Sequence, residues 1–247
     1  MSKAKVPIAV MIGAGSKLPA ILRVAAKEKS KFYISLVVSH KAFSKGVELA
    51  IKKNIPAIYF KLPDYRQRIF KGETSARSSF MKHLGWFISQ REYSPKLLIF
   101  AGWDLVMDKN FFDFFKCDFG NGYAAINLHP ALMPLDSENQ KIKLPDGSTT
   151  KIIKGEQEEV LRAVIKNDLT YFGPSVHFMV PTEYDTGTVV KRAFIKVDKN
   201  DTIESLRKKL MPVEDRILVS AIEEVISKLY QPPINGADIS EERHRHD

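Results

Sequence analysis

A chain of 247 residues, 44% hydrophobic and 27% charged, has an ordinary globular composition and the length for one substantial core. No apolar run approaches the roughly 18 residues of a membrane-spanning helix, and the single cysteine, Cys117, leaves no partner for an intrachain disulfide or a cysteine metal cluster, so a soluble protein of a reducing cytoplasm is expected. Lysine and arginine outnumber acids 38 to 29, but the formal +9 is spread from Lys3 through Lys52 and Lys151 to Arg245, which suits small anionic ligands and lacks the clustered stripe of a nucleic-acid binder.

The N-terminal half alternates strand-like and helix-like patterns, predicting an α/β fold with a mostly parallel central sheet and helices on both faces. Residues 8–12 form an apolar run that ends in Gly13-Ala14-Gly15-Ser16, and Leu18, Ile21, Leu22 and Ala25 follow at helical spacing. Residues 33–38 read as a second strand, 43–53 as a helix and 55–60 as a third strand. A longer helix is predicted over about 74–92, before the fully apolar run 96–101, the best candidate for a central buried strand. A short helix around 109–115 and a strand over 124–128 follow. The three strand exits at Gly13 to Lys17, Gly102 to Met107 and Asn127 to Pro134 are expected to converge, because ligands of open α/β sheets collect at the carboxyl ends of strands.

Beyond Pro134 the texture turns polar, and Pro145-Asp146-Gly147 between Ile142/Leu144 and Ile152/Ile153 signals a hairpin within an excursion over about 136–155. A helix over 156–167, strands over 175–180 and 189–195, and a final helix over 201–229 with a kink or break at Pro212 complete one domain over 1–230. Residues 231–247 read as a flexible tail.

Three segments carry chemistry. In Asn127-Leu128-His129-Pro130 an amide and an imidazole alternate on a strand end, so both leave the same face and can address one carbonyl oxygen. Ser175-Val176-His177-Phe178 is followed by Asp185-Thr186-Gly187, where a carboxylate on a turn near a histidine can favour the imidazolium form needed for a proton shuttle. Gly13-Ala14-Gly15-Ser16-Lys17 leaves backbone N–H groups at a helix start, suited to phosphate. Taken singly, each has a plain structural reading: a satisfied core histidine, a turn, a tight loop.

Together the three segments resemble the phosphoribosylglycinamide formyltransferase family over residues 6 to 230, with Ala101-Gly102-Trp103 as a further point of likeness. The resemblance implies a Rossmann-like formyltransferase fold and transfer of the formyl group of 10-formyltetrahydrofolate to the amine of glycinamide ribonucleotide in purine synthesis, without a metal. It implies that Asn127 holds the formyl oxygen, His129 stabilises the oxyanion and passes a proton to the leaving nitrogen, and Asp185 orients water and imidazolium. Gly15, Ser16 and Lys17 would meet the acceptor phosphate, Glu214 the ribose hydroxyls, and Arg77 with Asp104, Leu105, Val106 and Met107 the folate. Partners would be these small molecules, with neither nucleic acid nor membrane.

The chain departs from the family at Lys17, which replaces an asparagine, at Asp104 and Leu105, in an acidic turn one residue longer, and in the lysine-rich excursion. Lys141, Lys143, Lys151 and Lys154 read either as a flap over an anionic substrate or as a solvated hairpin. A sugar-amine formyltransferase, a formyltetrahydrofolate deformylase and a non-catalytic folate or nucleotide binder remain the alternatives.

Overall fold

The computed structural model describes residues 4–69, 76–135, 141–183 and 185–229. Its centre is a seven-stranded sheet built from β1 (Val6–Ile12), β2 (Phe32–Ser39), β3 (Ala57–Tyr59), β4 (Leu97–Ala101), β5 (Ala125–His129), β9 (Ser175–Phe178) and β10 (Val189–Arg192). The spatial order is β10-β9-β5-β4-β1-β2-β3, parallel from β3 to β5 and antiparallel at β9 and β10. The order reverses between β1 and β4, so the loops after these two strands flank the crevice where an α/β sheet takes its ligand.

Strand residues are buried on both faces because helices cover both. On one face Ile8, Val10, Ile12, Ile34, Ile99 and Ile126 pack with residues of α1 (Leu18–Ala25), α2 (Lys45–Lys52) and α7 (Ile203–Leu229). On the other, Ala9, Met11, Leu98 and Phe100 meet Phe80, Met81, Leu84 and Ile88 of α4 (Ala76–Ile88) and the Phe111-Phe112 pair of α5 (Lys109–Phe112). Alternation along β5 places Ile126 and Leu128 in the first cluster and turns Asn127 and His129 to the opposite face.

The elements expected from the sequence lie within a few residues of those observed, except that no strand is expected at β8 (Tyr171–Phe172), and with three further differences. An additional helix, α3 (Leu62–Ile69), follows β3; its sequence is mostly polar, with few apolar residues to mark it. The final helix is found as expected in α7, and of the kink or break expected at Pro212 the break is absent: buried Leu206, Leu210, Glu214, Ile217 and Leu218 anchor both sides of the lost N–H. The expected strand over 189–195 divides into β10 and β11 (Ile195–Lys196), and β11 pairs antiparallel with β8 (Tyr171–Phe172).

The excursion forms an antiparallel hairpin of β6 (Lys141–Lys143) and β7 (Thr149–Lys151) before α6 (Gln157–Lys166). It is docked on the body: Ile142 and Leu144 are buried with Leu132, Ile152 and Tyr171, and Thr170 Oγ1 donates to Asp146 in the turn. The expected tail after residue 230, residues 136–140 and part of the 74–92 helix lie outside the described residues.

Candidate active site

The exit of β5 supplies the first two groups. Asn127 sits directly across from His177 in the β5–β9 pairing, and its Nδ2 lies 3.2 Å from His177 Nε2. His177 Nδ1 donates to the Phe178 carbonyl at 2.9 Å, and its Nε2 faces both the Asn127 amide and, farther off, the Asp185 carboxylate; where Nε2 accepts, it takes one N–H of Asn127 and leaves the other for a ligand. His177 therefore orients the amide, a role that the alternation of the Ser-Val-His-Phe strand could have revealed.

Two turns of chain bring in the carboxylate. Asp185, with a left-handed φ of 51°, places Oδ1 3.3 Å from His129 Nδ1 and 3.6 Å from His177 Nε2. Gly187 packs against the Phe178 carbonyl so closely that no side chain fits, which explains the glycine of the Asp-Thr-Gly turn. The far nitrogen of His129, Nε2, lies 2.9 Å from the Ile153 carbonyl. An amide, two imidazoles and a carboxylate from three separate stretches thus converge, with His129 and His177 each only 3% exposed.

Burial pushes the His129 imidazole below its ordinary pKa, against the opposing pull of Asp185 and the Ile153 carbonyl. Burial acts to raise the Asp185 carboxyl, but His177, His129 and Lys154 together hold it below its usual range. His40 is lowered by burial as well, in spite of Asp104. The unfolded chain therefore binds protons at His129 and His40 that the folded one rejects, and stability is expected to fall as pH drops below about 6.5. Asp185 has the depressed-carboxylate sign, so its contribution persists above about pH 4 and is lost only below that. Thermal melts between pH 7 and 5 check the histidine window; a flat midpoint there would mean that folding leaves both imidazole pKa values where they are in the unfolded chain.

The loop after β1 holds the second group of expected residues. Gly15 takes φ 85° and its α-carbon lies under Gly46 at the start of α2, while Ser44 Oγ donates to the Gly13 carbonyl at 2.9 Å. Ser16 is exposed and Lys17 is buried. The Lys17 ammonium lies 2.6 Å from Glu214 Oε2 and 3.2 Å from Asp215 Oδ1 of α7, so two residues expected to face the acceptor are bound to each other. Gln157 Nε2 also donates to Glu214, at 3.3 Å. Lys17→Met is expected to cost about 3 kcal/mol by leaving the buried Glu214 carboxylate without its ion-pair partner. Adding Glu214→Gln should recover part of that in urea melts, and no recovery would show that the pair is not the source.

The segment after β4 forms the neighbouring wall. Arg77 Nη2 donates to the Val106 carbonyl at 2.7 Å, tying α4 to it, and Leu105 and Val106 are half-buried. Met107 lies within the aromatic cluster under the sheet and backs the wall from behind. Asp104 Oδ1 lies 2.7 Å from Nε2 of His40, a buried ring edge-on to Trp103 that bridges the exits of β2 and β4. The sequence reading did not single out His40. Among the described residues no cluster of three or more histidine, cysteine, aspartate or glutamate side chains is arranged to hold a metal ion, and no helix is long and apolar enough to cross a membrane.

A Rossmann-like sheet thus gathers an amide, two imidazoles and a carboxylate at one strand end, a set of groups chemically able to address a carbonyl. The family described as formyl transferase matches residues 6–222, and the chain belongs to that family of enzymes. It is 28% identical over 223 residues to the phosphoribosylglycinamide formyltransferase of Dictyostelium discoideum, covering 90% of this chain and 98% of that one. The trifunctional purine biosynthetic protein adenosine-3 of Bos taurus is 26% identical over 235 residues, which span 94% of this chain but 19% of that protein. In fold, the chain superposes on glycinamide ribonucleotide transformylase 1 of Symbiobacterium toebii with a TM-score of 0.70 at 23% identity, covering 91% and 89% of the two chains.

Proposed function

We propose that this protein transfers the formyl group of 10-formyltetrahydrofolate to the amine of glycinamide ribonucleotide, a step of purine synthesis. The observation that carries the reading is the meeting of Asn127, His129, His177 and Asp185 around one point at the exit of β5. Amine attack on a formyl carbon concentrates negative charge on one oxygen, and each prearranged donor aimed at that oxygen lowers the barrier by about 3 kcal/mol. The free N–H of Asn127 is one such donor. His129, neutral at rest, accepts the proton released by the attacking amine; as an imidazolium facing the Asp185 carboxylate it supports the oxyanion and then delivers the proton to the leaving folate nitrogen. The substrate amine is the nucleophile, so no serine or cysteine has to attack.

Recognition of the two substrates falls to the crevice between β1 and β4. Gly15, Ser16 and Lys17 with Glu214 form the acceptor end, where phosphate and ribose hydroxyls would draw Lys17 and Glu214 away from each other into contacts of their own. Arg77 and the 104–107 wall form the folate end. The likeness to relatives named for this activity, over nearly the whole chain, supports the reading. The test is the absorbance of the folate product with glycinamide ribonucleotide offered beside a panel of amino sugars. Turnover with the ribonucleotide is expected; turnover only with an amino sugar would overturn the acceptor and keep the chemistry, and formate release without any amine would make the enzyme a hydrolase.

A further inference from the structure

The hairpin that departs from the family pattern reaches the reacting histidine. Ile153 lies at its outgoing end, between β7 and α6, and its carbonyl faces His129 Nε2 at 2.9 Å. A carbonyl can only accept, and so can the Asp185 carboxylate 3.3 Å from Nδ1; the one proton of the neutral ring goes to the shorter contact, on Nε2, and Nδ1 is left to take up a proton toward Asp185 when the ring becomes charged. The peptide is fixed from both sides. Upstream, Ile142, Leu144 and Ile152 pack on Leu132, which is itself part of the segment leaving β5. Downstream, the Glu156 N–H donates to Glu159 Oε2 at 2.9 Å in a capping box that starts α6.

The other ring nitrogen faces the chemistry. Nδ1 lies 3.3 Å from Asp185 Oδ1, the same oxygen that lies 3.6 Å from His177 Nε2, which in turn meets Asn127 Nδ2 at 3.2 Å. All the groups able to address a carbonyl therefore gather on the Nδ1 side, and the Nε2 side is closed by backbone.

We propose that Nδ1 is the working nitrogen of His129 and that the main-chain carbonyl of Ile153, presented by the 141–154 hairpin, is the positioning group that keeps the proton on Nε2 and aims Nδ1 at the substrate. Ligand histidines of metal sites are oriented through the same device, in which a hydrogen bond at one ring nitrogen fixes the tautomer and the direction of the other. The lysines of the excursion are then secondary to its backbone. This assignment rests on the acyl-transfer reading of the site, but its first test does not.

Histidine 15N spectra of the free enzyme, with His129 assigned through its loss in His129→Asn, read the tautomer without any substrate. A protonated Nε2 and a bare Nδ1 are expected at pH 8, and the reverse pattern would overturn the proposal. Replacing the Ile153–Lys154 amide by an ester weakens the acceptor; it should shift the ring toward the Nδ1-protonated tautomer and lower kcat at least tenfold with KM little changed. An unchanged tautomer in the ester enzyme would show that Ile153 does not set it. An asparagine amide can stand in for Nδ1 and a glutamine amide for Nε2, so His129→Asn should retain at least tenfold more formyl transfer than His129→Gln. The opposite ranking would make Nε2 the working atom, and if both variants are inactive the spectra decide. Failure of the substrate reading would look different: the expected tautomer with no transfer to glycinamide ribonucleotide.

Discussion

Asp185→Asn is expected to lower kcat by about 10³-fold while both KM values change little and the melting temperature falls modestly, by the loss of the carboxylate's stabilising charge. The magnitude follows from proton transfer by a positioned group, which contributes about 10² to 10⁴. Asparagine keeps the shape and a carbonyl oxygen near His129 Nδ1, so the resting site survives. What it removes is the charge opposite the imidazolium, in a pocket where burial already disfavours the protonated ring. Because Asp185 opposes that burial effect, its loss should lower the His129 pKa further and move the acid limb of the rate profile to lower pH. Steady-state and single-turnover rates across pH 5 to 9 measure both effects. A large rise in KM at constant kcat would instead make Asp185 a substrate-binding group.

Gly187→Ala is expected to destabilise the fold by more than about 4 kcal/mol and to abolish activity in whatever folds. An added Cβ would stand 1.6 Å from the Phe178 carbonyl oxygen and 2.7 Å from its carbon, both backbone atoms of a central strand. That carbonyl already accepts from His177 Nδ1, and Phe178 N–H bonds the Thr188 carbonyl at 2.9 Å. The turn must lift off β9, carrying Asp185 away from His129, so stability and catalysis fail together. Gly147→Ala is the matched control: the position has φ 86° but open space around it, and only the left-handed backbone cost of about 1 kcal/mol applies. Urea unfolding of the two variants separates them; equal losses would remove the steric explanation.

Much of the fold was legible because it is written in local patterns. The runs at β1, β2, β4 and β5 are apolar in the way that strands covered on both faces must be, and the helices between them carry their buried residues at helical spacing. Helix α3 escaped because its sequence, LPDYRQRI, is largely polar, and whether Pro212 breaks the final helix was left open because that depends on packing along α7. The site was legible where chemistry and position coincide, as in Asn127 and His129 two residues apart on one strand. It was not legible where a partner is distant or is backbone. Nothing in the identity of Ile153 marks its carbonyl, and nothing local to Lys17 shows that α7 brings Glu214 to within 2.6 Å of it.

Sequence by itself determined the order of strands and helices, the carboxyl-end loops and the residue types able to handle a formyl group, because periodicity and functional groups are local properties. Only the tertiary structure decided which nitrogen faces which partner, which charges neutralise each other, and that the hairpin docks instead of standing free. Those outcomes depend on distances between segments tens of residues apart, which packing sets and no local pattern encodes.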